Sequence, residues 1–156
     1  MNIITENKRA YFNYNILEKF EAGVVLTGQE VKSIKLGRIN LAGSYVVLRQ
    51  NPQRRIPEVF LIGAHIPPYQ PKNAPKDYNP ERSRKLLLRK IEIKRLIGKV
   101  KEKGLTLIPL RVYSKYAKIK IEFGLGKGRK KFDKREIIKK REVEREIRKA
   151  FKMNIP

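Results

Sequence analysis

Over residues 117–126, Ile119, Ile121, Phe123 and Leu125 alternate with Lys118, Lys120, Glu122 and Gly124. This period of two predicts a strand with one buried face and one basic, solvated face. Just upstream, Ile108, Leu110 and Val112 alternate with Pro109, Arg111 and Tyr113, and Ser114-Lys115-Tyr116 can turn the chain so that the two segments form a hairpin. Pro109 has no N–H for a ladder, which places it at an edge or a strand end. Further strands are predicted over 44–49 and 58–66. An extended stretch covers 11–26, with a bend near residues 18–21.

The period changes to that of a helix twice. Thr27-Gly28-Gln29-Glu30 has capping-box spacing, Val31 and Ile34 follow on one face, and Gly37 is placed as a left-handed stop. Ile93, Leu96, Ile97 and Val100 predict a second helix over 92–103, ended by Gly104. Between the strands and this helix, residues 66–80 hold five prolines and read as a loop. About six short strands with two or three flanking helices suit a mainly β fold, a closed antiparallel barrel of the OB type, over residues 1–126.

Residues 127–156 differ: only Val143, Ile147 and Phe151, four residues apart, make an apolar stripe. So little apolar surface does not offset an ordering cost of about 1 to 2 kcal/mol per residue. This tail is expected to be unstructured in the free protein and helical on a partner.

Charge then narrows the function. The 156 residues carry 38 Lys and Arg against 15 Asp and Glu, a formal charge of +23, of which +15 lies in 1–126 and +8 in the tail. Self-repulsion of this size points to a polyanionic partner, with nucleic acid the first candidate. The chain has no apolar run of about 18 residues and no basic amphipathic segment anchored by Trp or Phe, which argues against a membrane. Residues 1–10 lack the apolar core of a signal peptide, so a cytoplasmic location is expected. With no cysteine there is neither a disulfide framework nor a thiolate metal site.

Catalytic chemistry finds no foothold. His65 is the only histidine, has no partner for a zinc site or a triad, and is assigned to packing or hydrogen bonding. Gly124-Leu125-Gly126-Lys127-Gly128-Arg129 follows a strand without opening a helix and lacks Gly-Lys-Ser/Thr, so it reads as a flexible basic hinge rather than a phosphate loop. The carboxylates form no Asp-x-Asp cluster of the kind a two-metal nuclease needs. No catalytic residue, cofactor, metal or small-molecule substrate is assigned.

Binding chemistry is present. Arg82-Ser83-Arg84-Lys85 runs into Leu86-Leu87-Leu88-Arg89-Lys90, a cationic cluster beside side chains able to pack on unstacked bases or ribose. Asn7-Lys8-Arg9 precedes Tyr11, Phe12 and Tyr14, which offer rings for stacking. Glu21 is an acid among bases; it closes an ion pair or accepts from a base donor, and the sequence leaves both open.

Several segments also resemble one family. Asn7-Lys8-Arg9-Ala10, Phe20-Glu21-Ala22-Gly23, Gly28-Gln29-Glu30-Val31-Lys32-Ser33, Ser44-Tyr45, Arg82 to Leu88, Gly104-Leu105-Thr106 and Asp133-Lys134-Arg135 stand in the order and spacing of small protein B, the SsrA-binding protein family of bacterial trans-translation. The resemblance covers residues 7–148. It implies an OB-like barrel that binds the tRNA-like domain of transfer-messenger RNA and enters the A site of a stalled ribosome. The tail then reaches the decoding centre and mRNA channel of the small subunit. Together with the cationic clusters it gives a candidate RNA-binding set of Asn7, Lys8, Arg9, Glu21, Lys32, Arg82, Arg84, Lys85, Leu87 and Arg89. The candidate ribosome-contacting set is Lys127, Gly128, Arg129, Lys130, Lys131, Phe132, Asp133, Lys134, Arg135, Lys139, Lys140 and Arg141.

Two positions depart from the family pattern. Arg89 stands where many relatives have Asn or His, which favours a phosphate contact or guanidinium stacking over a base-edge contact. Phe132 stands where relatives often have His before Asp-Lys-Arg; it can stack but not titrate. Alternative assignments are a structural ribosomal protein, another OB-fold RNA-binding factor, or an RNA-processing enzyme with an OB-like anchor.

Overall fold

A computed structural model describes residues 1–102 and 104–153. In chain order the elements are β1 (Asn2–Glu6), α1 (Lys8–Asn13), β2 (Tyr14–Val24), α2 (Gly28–Lys35), β3 (Tyr45–Arg49), β4 (Glu58–Ile62), β5 (Arg84–Leu87), α3 (Lys90–Val100), β6 (Leu105–Lys115), β7 (Lys118–Gly128) and α4 (Lys131–Met153). The strands follow the order β1-β6-β3-β4-β5-β2-β7, and β7 pairs back on β6. Six strands therefore close an antiparallel ring and β1 extends it at β6, which agrees with the expected OB-like barrel.

The alternation in 118–125 does what its period predicts, whereas the bulge at Pro109 splits the predicted set of Ile108, Leu110 and Val112, turning Val112 into the barrel and Ile108 and Leu110 outward. Leu107, Val112, Ile121, Phe123 and Leu125 point into the barrel, where they meet Phe20, Val46, Val59, Leu61 and Leu86. Phe20 and Phe123 stack with centroids 5.5 Å apart. The hairpin turn is Tyr116-Ala117, both left-handed (φ 52° and 62°), one residue later than the predicted turn, as a two-residue hairpin loop requires. Pro109 lies inside β6, not at its end. The register shifts between Pro109 and Arg111, and such a bulge has no need of the missing N–H.

A second bulge falls between Ile16 and Glu18 of β2, close to the predicted bend. Residues 11–13, expected to be extended, close α1 instead. The glycines of 124–128 are not a hinge, because all of them belong to β7. A Cβ on Gly124 would stand 2.8 Å from Ile16 Cγ2, and one on Gly126 3.1 Å from Ile108 Cδ1. Their missing side chains let Ile16, Ile108 and Leu110 pack with Ala10 of α1 on the outside of the sheet. β7 continues to Gly128.

α2 closes one side of the barrel. The Thr27 side chain accepts from the Glu30 N–H and the Thr27 N–H donates to Glu30 Oε1 at 2.9 Å, so the predicted capping box is formed. Gly37 and Gly104 both adopt positive φ, as their stop positions require. α3 is two residues earlier at its start than predicted and ends at Val100; Lys103, in the predicted helix, lies outside the described residues. Leu96 is its buried anchor. The proline-rich segment 66–80 is pinned rather than loose: Ser33 Oγ donates to Pro67 O at 2.6 Å and Tyr78 OH to Ile66 O at 2.8 Å.

Candidate nucleic-acid interface

Alternation along β5, β2, β7 and β6 sets a second row of side chains on the outer surface. β5 turns Arg84 and Leu86 inward, leaving Lys85 half-buried and Leu87 exposed. Gly23 of β2 pairs with Leu87 on one side and Lys120 on the other, while Glu21 faces Glu122 and Lys120 faces Tyr113. The result is a patch in which an exposed leucine and a bare glycine backbone are bordered by Lys85, Lys118 and Lys120. Among the described residues, neither Lys118 nor Lys120 lies within ion-pair distance of a carboxylate. Their charge is available to a phosphate.

The acids of this patch are each held by neighbours. Glu122 lies 3.0 Å from Arg111 and 3.9 Å from Lys19. Glu21 accepts a hydrogen bond from the Tyr113 hydroxyl and lies 3.6 Å from Lys115. The Tyr113 bond, aided by Lys115 and Lys120 and opposed by burial, lowers the Glu21 pKa. Burial and the bond to Glu21 raise that of Tyr113. Glu21 is therefore a fixed anion on a cationic surface. Beside Leu87 a groove of about 610 Å³ opens between Arg54, Arg55 and Lys90, with Ile56, Pro57, Leu88 and Ile93 along it.

The structure separates the sequence-predicted residues into groups. Glu21, Lys85 and Leu87 share the outer patch, and Arg89 stands beyond it at the start of α3, 87% exposed and 3.7 Å from Glu92. Lys32 and Arg82 line a different cavity, of about 570 Å³, between the start of α2 and the proline-rich segment. Lys8 and Arg9 are exposed on α1.

Two assignments need correction. Arg84 is fully buried: it donates to Glu30 Oε2 at 2.7 Å, Ala64 O at 2.6 Å and Pro80 O at 2.8 Å, so its guanidinium has no donor left on the surface for RNA. Glu30, which also takes Arg82 at 2.5 Å, ties α2 to β5 through this pair. Asn7 is buried too, donating through Nδ2 to Pro109 O at 3.0 Å at the β6 bulge. Lys19, Lys118, Lys120 and Tyr113 join this candidate patch without belonging to the sequence-predicted set. The alternation had already put Lys118 and Lys120 on the solvated face, but nothing local joins Tyr113 to Glu21.

The rings beside α1 divide their work. Tyr14 packs over Gly126, and Phe12 meets Lys134 and Arg141 of α4 with centroid distances of 5.9 and 5.8 Å. Tyr11 is the one exposed ring of the three, at 39%, and has Lys19 5.5 Å from its centroid. α4 starts where Arg129 N donates to Asn13 O at 2.8 Å and Asp133 accepts from Lys130 N at 3.3 Å. Lys131, Phe132, Asp133, Arg135, Lys139, Lys140 and Arg141 are exposed, as are Lys127, Gly128 and Lys130 before them; Arg129 and Lys134 are half-buried. Among the described residues no helix is long and apolar enough to cross a membrane, and no group of acids or histidines could hold a metal ion.

Comparison with known proteins gives one answer. Residues 4–153 match the family model described as SmpB protein. An SsrA-binding protein of Sulfurihydrogenibium sp. (strain YO3AOP1) is 49% identical over 98% of this chain and 96% of its own length. Another, from Syntrophobacter fumaroxidans (strain DSM 10017 / MPOB), is 52% identical over 93% of this chain and 86% of its own. A solved chain from "tmRNA-SmpB: a journey to the center of the bacterial ribosome" is 41% identical, with a TM-score of 0.65, over 81% of this chain and 85% of that one. The ordered motifs, the closed barrel with its basic outer patch and these matches agree: the chain belongs to the SmpB family of SsrA-binding proteins.

Proposed function

We propose that this chain is an RNA-binding adaptor of trans-translation: its barrel holds the tRNA-like domain of transfer-messenger RNA, and the complex enters the A site of a stalled ribosome in the cytoplasm. The observation that carries this reading is the outer patch, where exposed Leu87 and bare Gly23 lie beside Lys120, a surface suited to ribose and unstacked bases with phosphates alongside. The relatives' names and the ribosomal setting of the solved neighbour support the same partners. No bond-making step is asked of the protein.

α4 has a second role in this reading. Its cationic residues contact the small subunit near the decoding centre and mRNA channel, with Phe132 available to stack on a base. Val143, Ile147 and Phe151 are all more than half exposed, so the helix gains little from packing on its own chain and becomes stable on the ribosome. The experiment is to capture RNA with the full-length protein from its own cells and sequence it. One dominant tRNA-like species supports the adaptor; ribosomal RNA in stoichiometric amounts during unstressed growth instead identifies a structural ribosomal protein.

A further inference from the structure

We propose that Tyr113 is a positioning residue for RNA recognition: it holds one oxygen of Glu21 so that the other accepts the exocyclic amino group of a base lying against Leu87 and Gly23. This rests on the reading of the outer patch as the RNA face.

A carboxylate on a phosphate-binding surface repels phosphate, so its useful partner is a neutral donor such as a base amine. Glu21 is arranged for that task. Its Oε2 accepts from the Tyr113 hydroxyl and faces Lys115, while among the described residues Oε1 carries no hydrogen bond. Tyr113 is 1% exposed, its ring has the Arg111 guanidinium at 5.5 Å, and Arg111 is itself tied to Glu122 at 3.0 Å. A clamped phenol fixes the carboxylate rotamer and leaves it a single free acceptor. The bond also keeps Glu21 ionised to lower pH than an ordinary glutamate.

Gly23 supplies the space. Its φ is not left-handed, and a Cβ there would meet Leu87 Cβ at an ordinary 3.5 Å, so neither the backbone conformation nor a clash calls for glycine. Glycine inside a strand weakens it, and a common reason for one is the close approach of a ligand. With no side chain at 23, the backbone forms a ledge flanked by Leu87 Cδ1 and Lys120 Nζ, which would stand 3.7 and 3.8 Å from a Cβ there. Glu21 stands about 7 Å along the same face of β2, within reach of the edge of a base resting on that ledge.

The test measures affinity of the full-length protein for the tRNA-like RNA with Tyr113→Phe, Glu21→Gln and the two combined, with melting temperature as a check on folding. Each single change is expected to weaken binding roughly tenfold to a hundredfold, the size of one hydrogen bond to a charged group. The double variant should be no weaker than the worse single, because Tyr113 acts through Glu21. In Tyr113→Phe the carboxyl titrates nearer its ordinary range, so affinity should fall at a higher pH on acidification than in the parent. Additive losses, or a Tyr113→Phe affinity and pH profile equal to the parent's, overturn the proposal.

RNA carrying inosine for guanosine, which removes the amino group, should bind the parent as weakly as normal RNA binds Glu21→Gln. If 2′-deoxy substitution reproduces the Glu21→Gln loss instead, the donor is a ribose hydroxyl and the base assignment is wrong. Lys120→Ala separates the two levels. It should weaken binding and make the salt dependence shallower by about one phosphate contact whatever Tyr113 does; no effect from it refutes the RNA face itself.

Discussion

Phe123 and Phe151 are the same residue in opposite circumstances. Phe123 is wholly buried, stacked on Phe20 inside a closed ring of strands, whereas Phe151 is 69% exposed near the end of α4. The contrast extends to charge. In the barrel, Glu30, Arg84, Glu21 and Glu122 are each fixed by named partners, while Lys118 and Lys120 border the outer patch with no carboxylate within ion-pair distance among the described residues. In α4 the basic residues other than the half-buried Lys134 stand exposed around a thin apolar stripe. The barrel thus holds its charged groups in a preorganised arrangement, while α4 presents charge and rings with little packing on its own chain.

The largest expected effect lies in the barrel's buried ion pair. Glu30→Ala leaves the Arg84 guanidinium buried without its partner and should cost about 3 to 5 kcal/mol of stability, read as a lower urea midpoint. The pH dependence has a definite sign. Burial alone would raise the Glu30 pKa, but the Thr27 N–H and the two arginines outweigh it and the folded value is lowered. Glu30 therefore stabilises the fold above the ordinary glutamate pKa of about 4.3, and that contribution is lost as pH falls through the lower folded value. Glu30→Ala should flatten this acid limb of the stability curve; an unchanged limb would assign it to other carboxylates.

An effect of comparable size sharpens the contrast between the two phenylalanines. Phe123→Ala should destabilise by about 3 to 5 kcal/mol and Phe151→Ala by less than about 0.5 kcal/mol. In the same isolated protein, amide exchange should be slow in β6 and β7 and fast across 133–152. Slow exchange in α4 would remove the distinction between a preformed barrel and a helix completed by its partner.

Much of this contrast was legible in the sequence where the signal is local. The period-two runs gave the β6–β7 hairpin, Thr27 and Glu30 gave the cap of α2, and the stripe Val143, Ile147, Phe151 marked α4 as poor in core. β5 was hidden because its inward positions are Arg84 and Leu86: an arginine reads as surface unless its partner is known, and Glu30 lies 54 residues away. Asn7 was misassigned for the same reason, its partner Pro109 being 102 residues distant. The Tyr113–Glu21 bond spans 92 residues and left no local trace. The glycines of β7 looked like a hinge because the side chains that need their space come from β2 and β6.

The division of labour itself is tested most directly by two full-length variants, Lys118→Ala with Lys120→Ala on the barrel, and Lys139→Ala with Lys140→Ala and Arg141→Ala on α4. Their affinities for the tRNA-like domain are compared across a salt series. The barrel variant should bind roughly tenfold or more weakly, with a log–log salt slope shallower by about two, and the α4 variant should stay within about twofold of the parent while failing to support tagging on stalled ribosomes. An α4 variant that loses RNA affinity beside a barrel variant that keeps it would contradict the account.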